Sequence, residues 1–247
     1  MIKFFRKIRY DLMEKNKTAK YFKYAIGEII LVVIGILIAL QINNWNETKK
    51  VKAFELKMLK ELSVAIQKDI EYTENHILGY RTKVGEKSVL YFKGLLKNNK
   101  VDMDSLRYYF NWTSYGVSFQ INEGPYQALK SIGLDKIAND SLRNSIQLFY
   151  DFVLPRRRQL IVFNEEMYDE QQETLKQFFL GESKYEIIGD DVKIYKPLID
   201  SHFWLQPKFL DILIMTESRV VWRRREFEGL TEDLKTLKKL IDKQIEK

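Results

Sequence analysis

The chain has 247 residues, no cysteine and a formal net charge of +7. Its first 50 residues hold ten Lys or Arg against four Asp or Glu, while the other 197 hold 31 basic and 30 acidic residues. Because the positive charge is confined to one end, the composition does not indicate a nucleic-acid-binding surface. The absence of cysteine excludes a fold that depends on disulfides.

The leader, residues 1–23, carries eight Lys or Arg. Its apolar residues Ile2, Phe5, Ile8 and Leu12 recur at helical spacing. This pattern is typical of a short amphipathic helix lying among anionic lipid headgroups. It is equally typical of a loosely ordered basic tail that only fixes the orientation of the protein. We expect the leader to be cytoplasmic in either case.

Residues 24–42 are apolar apart from Glu28 and Gln41. Nineteen residues at about 1.5 Å of rise each approach the roughly 30 Å hydrocarbon core of a bilayer. They predict one transmembrane helix. The stretch is long for a signal peptide and no A-x-A cleavage site follows it, which favours an uncleaved signal anchor. Gly35 and Ala39 form a small-xxx-small pair, which favours close approach of two such helices and hence a homo-oligomer.

The charge flanking the span predicts its orientation. In the eight residues after the span, the only basic side chains are Lys49 and Lys50. The positive-inside rule therefore predicts a single-pass protein with a cytoplasmic N-terminus and an extracytoplasmic domain over residues 43–247. Trp45 is expected to anchor the outer interface. The asparagines in segment 43–46 are poor helix formers and mark the expected break after the span.

Two stretches resemble a known family. KYAIGEIILVVIGILIALQINNWNE, residues 23–47, resembles the N-terminal signature of a Bacteroidetes family of single-span membrane proteins with a domain of unknown function. GPYQALKSIGLDKIANDSLRNSIQLFYD, residues 124–151, is similar to a second signature of that family. The resemblance implies a cell inner membrane protein with a periplasmic domain, and it implies no catalytic residues.

From Val51 to Leu95 the apolar residues step by three and four, which predicts a long helix. The helix is expected to end within residues 97–102. Asp102 or Asp104 is a suitable N-cap for a shorter helix after it.

The middle of the chain contains several helix boundaries. Residues 111–124 mix aromatic residues, Gly and Asn, and predict a packed loop. Pro125 suits the first turn of a helix, and Gly133 suits its C-terminal end. Asn139 or Asp140 is then expected to start the next helix.

The second half predicts two more long helices. One runs from Ser141 to Leu180, where Pro155 should kink or interrupt it and push the preceding residue off α geometry. Residues 185–195 predict a small β-hairpin. The last helix covers residues 209–245, and its tail resembles a coiled coil, although packing within one subunit gives the same spacing. The fold class is therefore mainly α, an antiparallel bundle of long helices after one transmembrane helix.

The sequence contains no recognisable catalytic constellation. Neither His76 nor His202 lies in a zinc-binding pattern, and no phosphate-binding loop, dinucleotide fingerprint or nucleophile elbow occurs. One helix face carries four carboxylates, interpreted as a solvated acidic face: Glu166, Asp169, Glu170 and Glu173. We predict no catalytic, cofactor-binding or metal-ligating residue and no cofactor.

Two runs of arginines, 156–158 and 223–225, suggest ion pairs. Consecutive helical positions point about 100° apart, so three guanidinium groups cannot share one anion. Salt bridges to glutamates on neighbouring helices are the preferred interpretation, and anion binding is the alternative.

The sequence predicts a non-enzymatic, membrane-anchored helical bundle that acts through contacts with another envelope component. The expected partners are the lipid bilayer, an unknown envelope protein and a second copy of the chain, and not nucleic acid. The alternative is a periplasmic ligand-sensing domain that signals through a partner. Its pocket would lie near Trp112, Tyr115, Phe119 and Tyr126, aromatic residues that a core would equally require.

Overall fold

The structure is a computed structural model that describes residues 6–7, 10, 18–113, 115–200 and 202–246. For residues 18–21, 24 and 167–178 it describes the backbone only. The four apolar residues of the amphipathic helix considered for the leader, Ile2, Phe5, Ile8 and Leu12, lie outside the described residues. The chain divides into two compact units, residues 1–56 and residues 57–247, and each is described by itself.

The first unit contains most of the apolar helix. Helix α1 runs from Thr18 to Glu71 and includes the predicted span. The large apolar side chains between residues 29 and 42 are 46–69% exposed. Among the described residues, this is the one helix whose length and apolar character suffice to cross a membrane.

Helix α1 does not break at the asparagines of segment 43–46, where the sequence predicts an interruption. Each asparagine raises the free energy of the helix by only some tenths of a kcal/mol relative to alanine. Three such residues are therefore not enough to end a helix whose neighbouring residues favour helix formation. The Thr48 hydroxyl donates a hydrogen bond to the carbonyl oxygen of Asn44 at 2.8 Å. The Lys49 ammonium lies 3.7 Å from the centroid of the Trp45 ring.

The second unit is almost entirely helical. After α1 come a π-helical segment, Tyr72–Thr82, and the helices α2 (Lys83–Asn98), α3 (Met103–Trp112), α4 (Gly124–Ile132) and α5 (Asp140–Leu148). A second π-helical segment, Phe149–Val153, leads into α6 (Leu154–Phe179). Strands β1 (Lys184–Ile188) and β2 (Asp191–Tyr195) precede α7 (Pro207–Ile245). Short 3₁₀ turns cover Leu134–Lys136 and Phe203–Leu205.

Helix α7 packs in an antiparallel sense against the helices that come before it. Its N-terminal half meets α2, where Lys93 and Glu217 form an ion pair at 2.5 Å. Its C-terminal half meets the part of α1 within the second unit, where the Ser63 hydroxyl donates to Asp242 at 2.5 Å. The antiparallel helical bundle is therefore confirmed. The leucine spacing at the end of α7 is used inside this unit, because Leu234, Leu237 and Ile241 are buried there.

Pro155 interrupts its helix as predicted. The interruption is a π-helical segment, whereas the sequence predicted a non-α conformation at the residue before the proline. The π-helical segment Phe149–Val153 lies immediately before it. Proline has no amide hydrogen and cannot close an α-helical turn, so the widened turn accommodates it. The expectation for the preceding residue was wrong: Leu154 keeps α geometry, with φ −62° and ψ −47°.

The helix caps and the turns follow the sequence closely. The Asp102 carboxylate accepts a hydrogen bond from the Ser105 amide at 2.9 Å. The Asn139 side-chain oxygen accepts one from the Leu142 amide at 3.2 Å. Helix α4 ends at Gly133, whose φ of 123° favours glycine. These local predictions are confirmed.

An aromatic core lies where α2 ends and α7 begins. Its phenylalanines come from five segments of the chain: Phe92, Phe110, Phe179, Phe203 and Phe209. The predicted hairpin, β1 and β2, emerges beside this core. Its base is closed by backbone hydrogen bonds from Gly181 to Pro197 at 2.8 Å and from Ile199 to Phe179 at 2.9 Å.

Candidate functional site

The segment between α3 and α4, residues 113–123, is held by side chains of other helices. We call it the crossing segment. It makes no regular secondary structure in its described residues, so its buried backbone groups need other partners. The carbonyl oxygen of Thr113 accepts hydrogen bonds from the Thr216 hydroxyl at 3.0 Å and from the Arg219 guanidinium at 2.8 Å.

A buried ion pair fixes the centre of the crossing segment. Arg223 of α7 donates two hydrogen bonds to the carboxylate of Glu165 on α6, at 2.7 and 2.6 Å. The amide of Val117 donates to Glu165 at 3.1 Å, and Arg223 donates to the carbonyl oxygen of Tyr115 at 3.3 Å. Removing two charges from water is costly, and the bidentate geometry with these extra bonds offsets that cost.

Asp69 of α1 holds the far end of the crossing segment. Both of its carboxylate oxygens lie 3.1 Å from the amide nitrogen of Asn122, which donates to them. The pKa of Asp69 is raised to about 6: burial raises it most, the Asn122 hydrogen bond partly opposes this, and the negative charge of Glu123 adds to the rise. Glu123 itself pairs with Arg158 of α6. Three helices therefore fix one loop by means of charged side chains.

An aromatic cluster lies beside the crossing segment and is partly exposed to solvent. Trp112 lies 5.4 Å from Tyr80 and 4.8 Å from Tyr115, measured between ring centroids. The guanidinium carbon of Arg81 lies 5.4–5.9 Å from the centroids of all three rings. Contacts of this kind between a cation and aromatic rings are attractive, so Arg81 and the three rings hold one another in place.

The cluster extends along the first π-helical segment. The His76 ring lies 5.3 Å from Tyr72 and 6.4 Å from Tyr80, and Tyr108 lies 6.2 Å from Trp112. Tyr80, Tyr108 and Tyr115 are 46–50% exposed. We call the whole surface the aromatic patch: Tyr72, His76, Tyr80, Arg81, Tyr108, Trp112 and Tyr115. The sequence reasoning missed its members on the π-helical segment, although Tyr72, His76 and Tyr80 follow one another at intervals of four.

The four aromatic residues considered for a ligand pocket occupy three different places. Trp112 and Tyr115 belong to the aromatic patch. The Phe119 ring lies 6.4 Å from Phe227, with the Arg158 guanidinium 5.2 Å from its centroid. Tyr126 is fully buried and stacks on Tyr150 at 4.3 Å. Tyr126 thus has the core role that the sequence also allowed.

Both arginine runs form salt bridges, as preferred from the sequence. In the first run, Arg157 contacts Glu226 at 3.2 Å and Asp233 at 2.8 Å. In the second, Arg224 contacts Glu86 at 2.6 Å, in addition to the buried contact of Arg223. The partners lie on neighbouring helices, so this interpretation is confirmed.

The other residues considered for chemistry lie apart from one another. His76 belongs to the aromatic patch, and the His202 ring lies 5.1 Å from Trp204. Of the acidic face, Glu166 is exposed, and the side chains of the other three lie outside the described residues. Among the described residues, no group of three or more His, Cys, Asp or Glu side chains could hold a metal ion.

An open groove of about 620 Å³ lies between α1 and the end of α7. It is lined by four lysines and three carboxylates together with Gln67 and Ile70. Two of the lysines are already paired, Lys235 with Glu74 at 2.8 Å and Lys238 with Asp242 at 2.6 Å. The groove does not include the aromatic patch.

A comparison with known protein families identifies the chain. The family of unknown function DUF6090 matches residues 28–181, more than half of the 247 residues. The chain belongs to this family. No curated protein and no solved structure matches it. The DUF6090 match includes the crossing segment and the aromatic patch, and it ends before β1, β2 and α7.

Proposed function

We propose that this protein is a single-pass membrane protein that binds another envelope protein rather than catalysing a reaction. In this proposal residues 24–42 anchor it in the inner membrane, the N-terminus is cytoplasmic and the helical unit lies in the periplasm. The exposed apolar side chains of α1 support the anchor, because water disfavours a continuous apolar helix surface of this length. The basic leader supports the orientation.

The aromatic patch supports protein binding. Trp, Tyr and Arg are the residue types that carry most of the binding energy at protein interfaces, and the patch combines all three. The buried bonds of Arg219, Arg223 and Asp69 hold the adjoining loop in one conformation. A surface fixed before binding loses little conformational entropy when a partner docks. This preorganised patch is the observation that carries the proposal.

Ligand sensing is the alternative function, and it needs a pocket. The four aromatic side chains that would line one are distributed over three places, with Tyr126 inside the core. Protein binding through an exposed aromatic surface therefore fits the described residues better than enclosure of a small molecule.

The test is co-purification of the full-length protein from detergent-solubilised native membranes. We expect a specific protein partner with the wild type and a loss of at least about tenfold with Tyr80→Ala/Tyr115→Ala, since each truncation at a central contact typically costs more than 1 kcal/mol. The matched control is Phe152→Ala/Phe163→Ala, which removes two aromatic rings that are 59% and 66% exposed but lie outside the patch.

The two double variants distinguish the outcomes. Retention of the partner by the control and its loss from the patch variant support the proposal. Equal retention by both variants contradicts it. Release of a bound small molecule on denaturation, with no protein partner, would favour the sensing alternative.

A further inference from the structure

The β-hairpin carries an apolar face that no other part of the described chain covers. In its register Tyr185 lies opposite Ile194, and Ile187 lies opposite Val192. Alternation along the strands places these four side chains on one face. They are 60–75% exposed. The Arg107 guanidinium carbon lies 5.6 Å from the centroid of the Tyr195 ring, which belongs to the opposite face, so the base of that face adjoins α3.

The hairpin also has two open edges. Within the described chain the sheet has only the strands β1 and β2. A two-stranded sheet is marginally stable in water, and additional strands stabilise it. Open edges with apolar side chains readily accept a further strand. The hairpin therefore has the features of a surface that pairs with another strand.

The turn determines which backbone groups point outward. Gly189 has φ +66°, and the loop contains only Gly189 and Asp190, as in a type II′ turn. The residues that flank such a turn, Ile188 and Asp191, form a hydrogen-bonded pair. Hydrogen-bonded and non-hydrogen-bonded pairs then alternate along the two strands, so Val192 and Ile194 belong to non-hydrogen-bonded pairs. The amide and carbonyl groups of Val192 and Ile194 consequently face the open edge of β2.

We propose that β2 pairs in an antiparallel sense with β2 of a second copy of this chain, with Val192 opposite its symmetry mate. The two hairpins then form one four-stranded sheet. This proposal does not depend on the aromatic patch, because the hairpin is a separate surface.

Charge complementarity selects the partner and the register. With Val192 at the two-fold axis, Asp191 of each copy lies opposite Lys193 of the other, on the same face of the sheet. Neither side chain makes an ion pair within the described chain, so both are available. A register centred on Lys193 would instead place two lysines opposite each other, which is unfavourable.

The edge of β1 is less suitable. There the complementary pair would be Lys184 and Glu186. Glu186 already accepts a hydrogen bond from the Tyr195 hydroxyl at 2.8 Å. Asp191 and Lys193 on β2 make no ion pair within the described chain, so we assign the pairing to β2.

The absence of cysteine makes a direct test possible. In a hydrogen-bonded antiparallel pair, opposite Cα atoms are about 5.5 Å apart, within the range of a disulfide. Full-length Val192→Cys, oxidised in native membranes, should give a disulfide-linked dimer identified by mass spectrometry. Ile187→Cys is the matched control, because Ile187 is directly opposite Val192 and similarly exposed but lies on the other edge. It should remain monomeric.

Charge variants test the register. Lys193→Asp in the Val192→Cys chain should lower the dimer yield at least fivefold, and adding Asp191→Lys should restore it. The proposal is overturned if Val192→Cys stays monomeric or couples to a different protein. It is also overturned if Ile187→Cys crosslinks equally well, since that result would indicate random collision of exposed hairpins. Circular dichroism of each variant checks that the helical unit is intact.

Discussion

Arg223 and Glu165 form a bidentate ion pair inside the second unit, with 2% and 6% of their side chains exposed. Each partner also bonds to the backbone of the crossing segment, Arg223 at Tyr115 and Glu165 at Val117. The pair therefore joins α6 to α7 and fixes the loop that carries part of the aromatic patch. Stability and the shape of the candidate interface depend on the same two charges.

Breaking this pair should be strongly destabilising. Arg223→Met leaves Glu165 buried without its countercharge, which typically costs about 3–5 kcal/mol of unfolding free energy. The measurement is urea unfolding of the full-length protein in detergent, followed by tryptophan fluorescence. Arg225→Met is the matched control on the same helix, and because Arg225 is exposed we expect a change within about 0.5 kcal/mol.

A second variant separates the charge from the packing. Arg223→Met/Glu165→Leu removes both charges, so most of the loss should be recovered. Equal destabilisation by Arg223→Met and Arg225→Met would contradict the structural role of the pair.

The contribution of Asp69 to the stability of the protein should rise as the pH falls from 7 to 4. The folded pKa of Asp69, about 6, is above the ordinary value of 3.8, so the folded state binds this proton more tightly than the unfolded state. The contribution is complete below about pH 4 and is lost as the pH rises through 6. A shift of this size corresponds to about 3 kcal/mol.

The measurement is the difference in unfolding free energy between the wild type and Asp69→Asn at each pH. The asparagine retains an oxygen that can accept the Asn122 hydrogen bond but does not titrate. Subtraction removes the contributions of other groups, so the difference should grow in favour of the wild type on acidification. A difference that stays constant from pH 7 to 4 would show that Asp69 does not titrate in this window.

The sequence predicts those features that depend on nearby residues. Asp102 and Asn139 cap helices through amides three residues later, and Gly133 ends a helix by its own backbone conformation. The arginine runs were interpretable because three consecutive guanidinium groups on a helix point about 100° apart and cannot share one anion. In contrast, the patch depends on packing: Tyr80 and Trp112 are far apart in the chain, and no local pattern predicts that their rings meet.

Two deviations show why local rules fail. The asparagines at 43–46 have low helix propensity, but their small individual costs do not end a long helix. Leu154 keeps α geometry directly before Pro155, where the π-helical segment Phe149–Val153 passes into α6. Both outcomes depend on the surrounding helix more than on the residue itself.

Gly85 of α2 packs directly against Val220 of α7, and Gly85→Ala should be destabilising. A Cβ atom there would lie 2.8 Å from a methyl carbon of Val220. Overpacking of this kind typically costs about 1–3 kcal/mol. Gly94→Ala on the same helix is the matched control, because nothing lies within 4 Å of its added Cβ. We expect that variant to be neutral or slightly stabilising, since alanine favours helix.

The double variant Gly85→Ala/Val220→Ala tests the cause. If the clash is responsible, removing the Val220 methyl groups should lessen the effect of the added Cβ, and the two changes will be non-additive in urea unfolding. Strict additivity would contradict the contact. Thermal melting of the wild type, the two single variants and the double variant provides an independent measurement.

The proposed orientation predicts opposite labelling of two single cysteines in a chain that has none of its own. Tyr10→Cys lies in the basic leader and keeps all of its charges, whereas Lys100→Cys lies in an exposed turn of the helical unit. A membrane-impermeant maleimide applied to intact spheroplasts should label Lys100→Cys and not Tyr10→Cys. After detergent permeabilisation both should be labelled, which controls for the reactivity of each thiol. Labelling of Tyr10→Cys alone in intact spheroplasts would reverse the topology and place the aromatic patch in the cytoplasm.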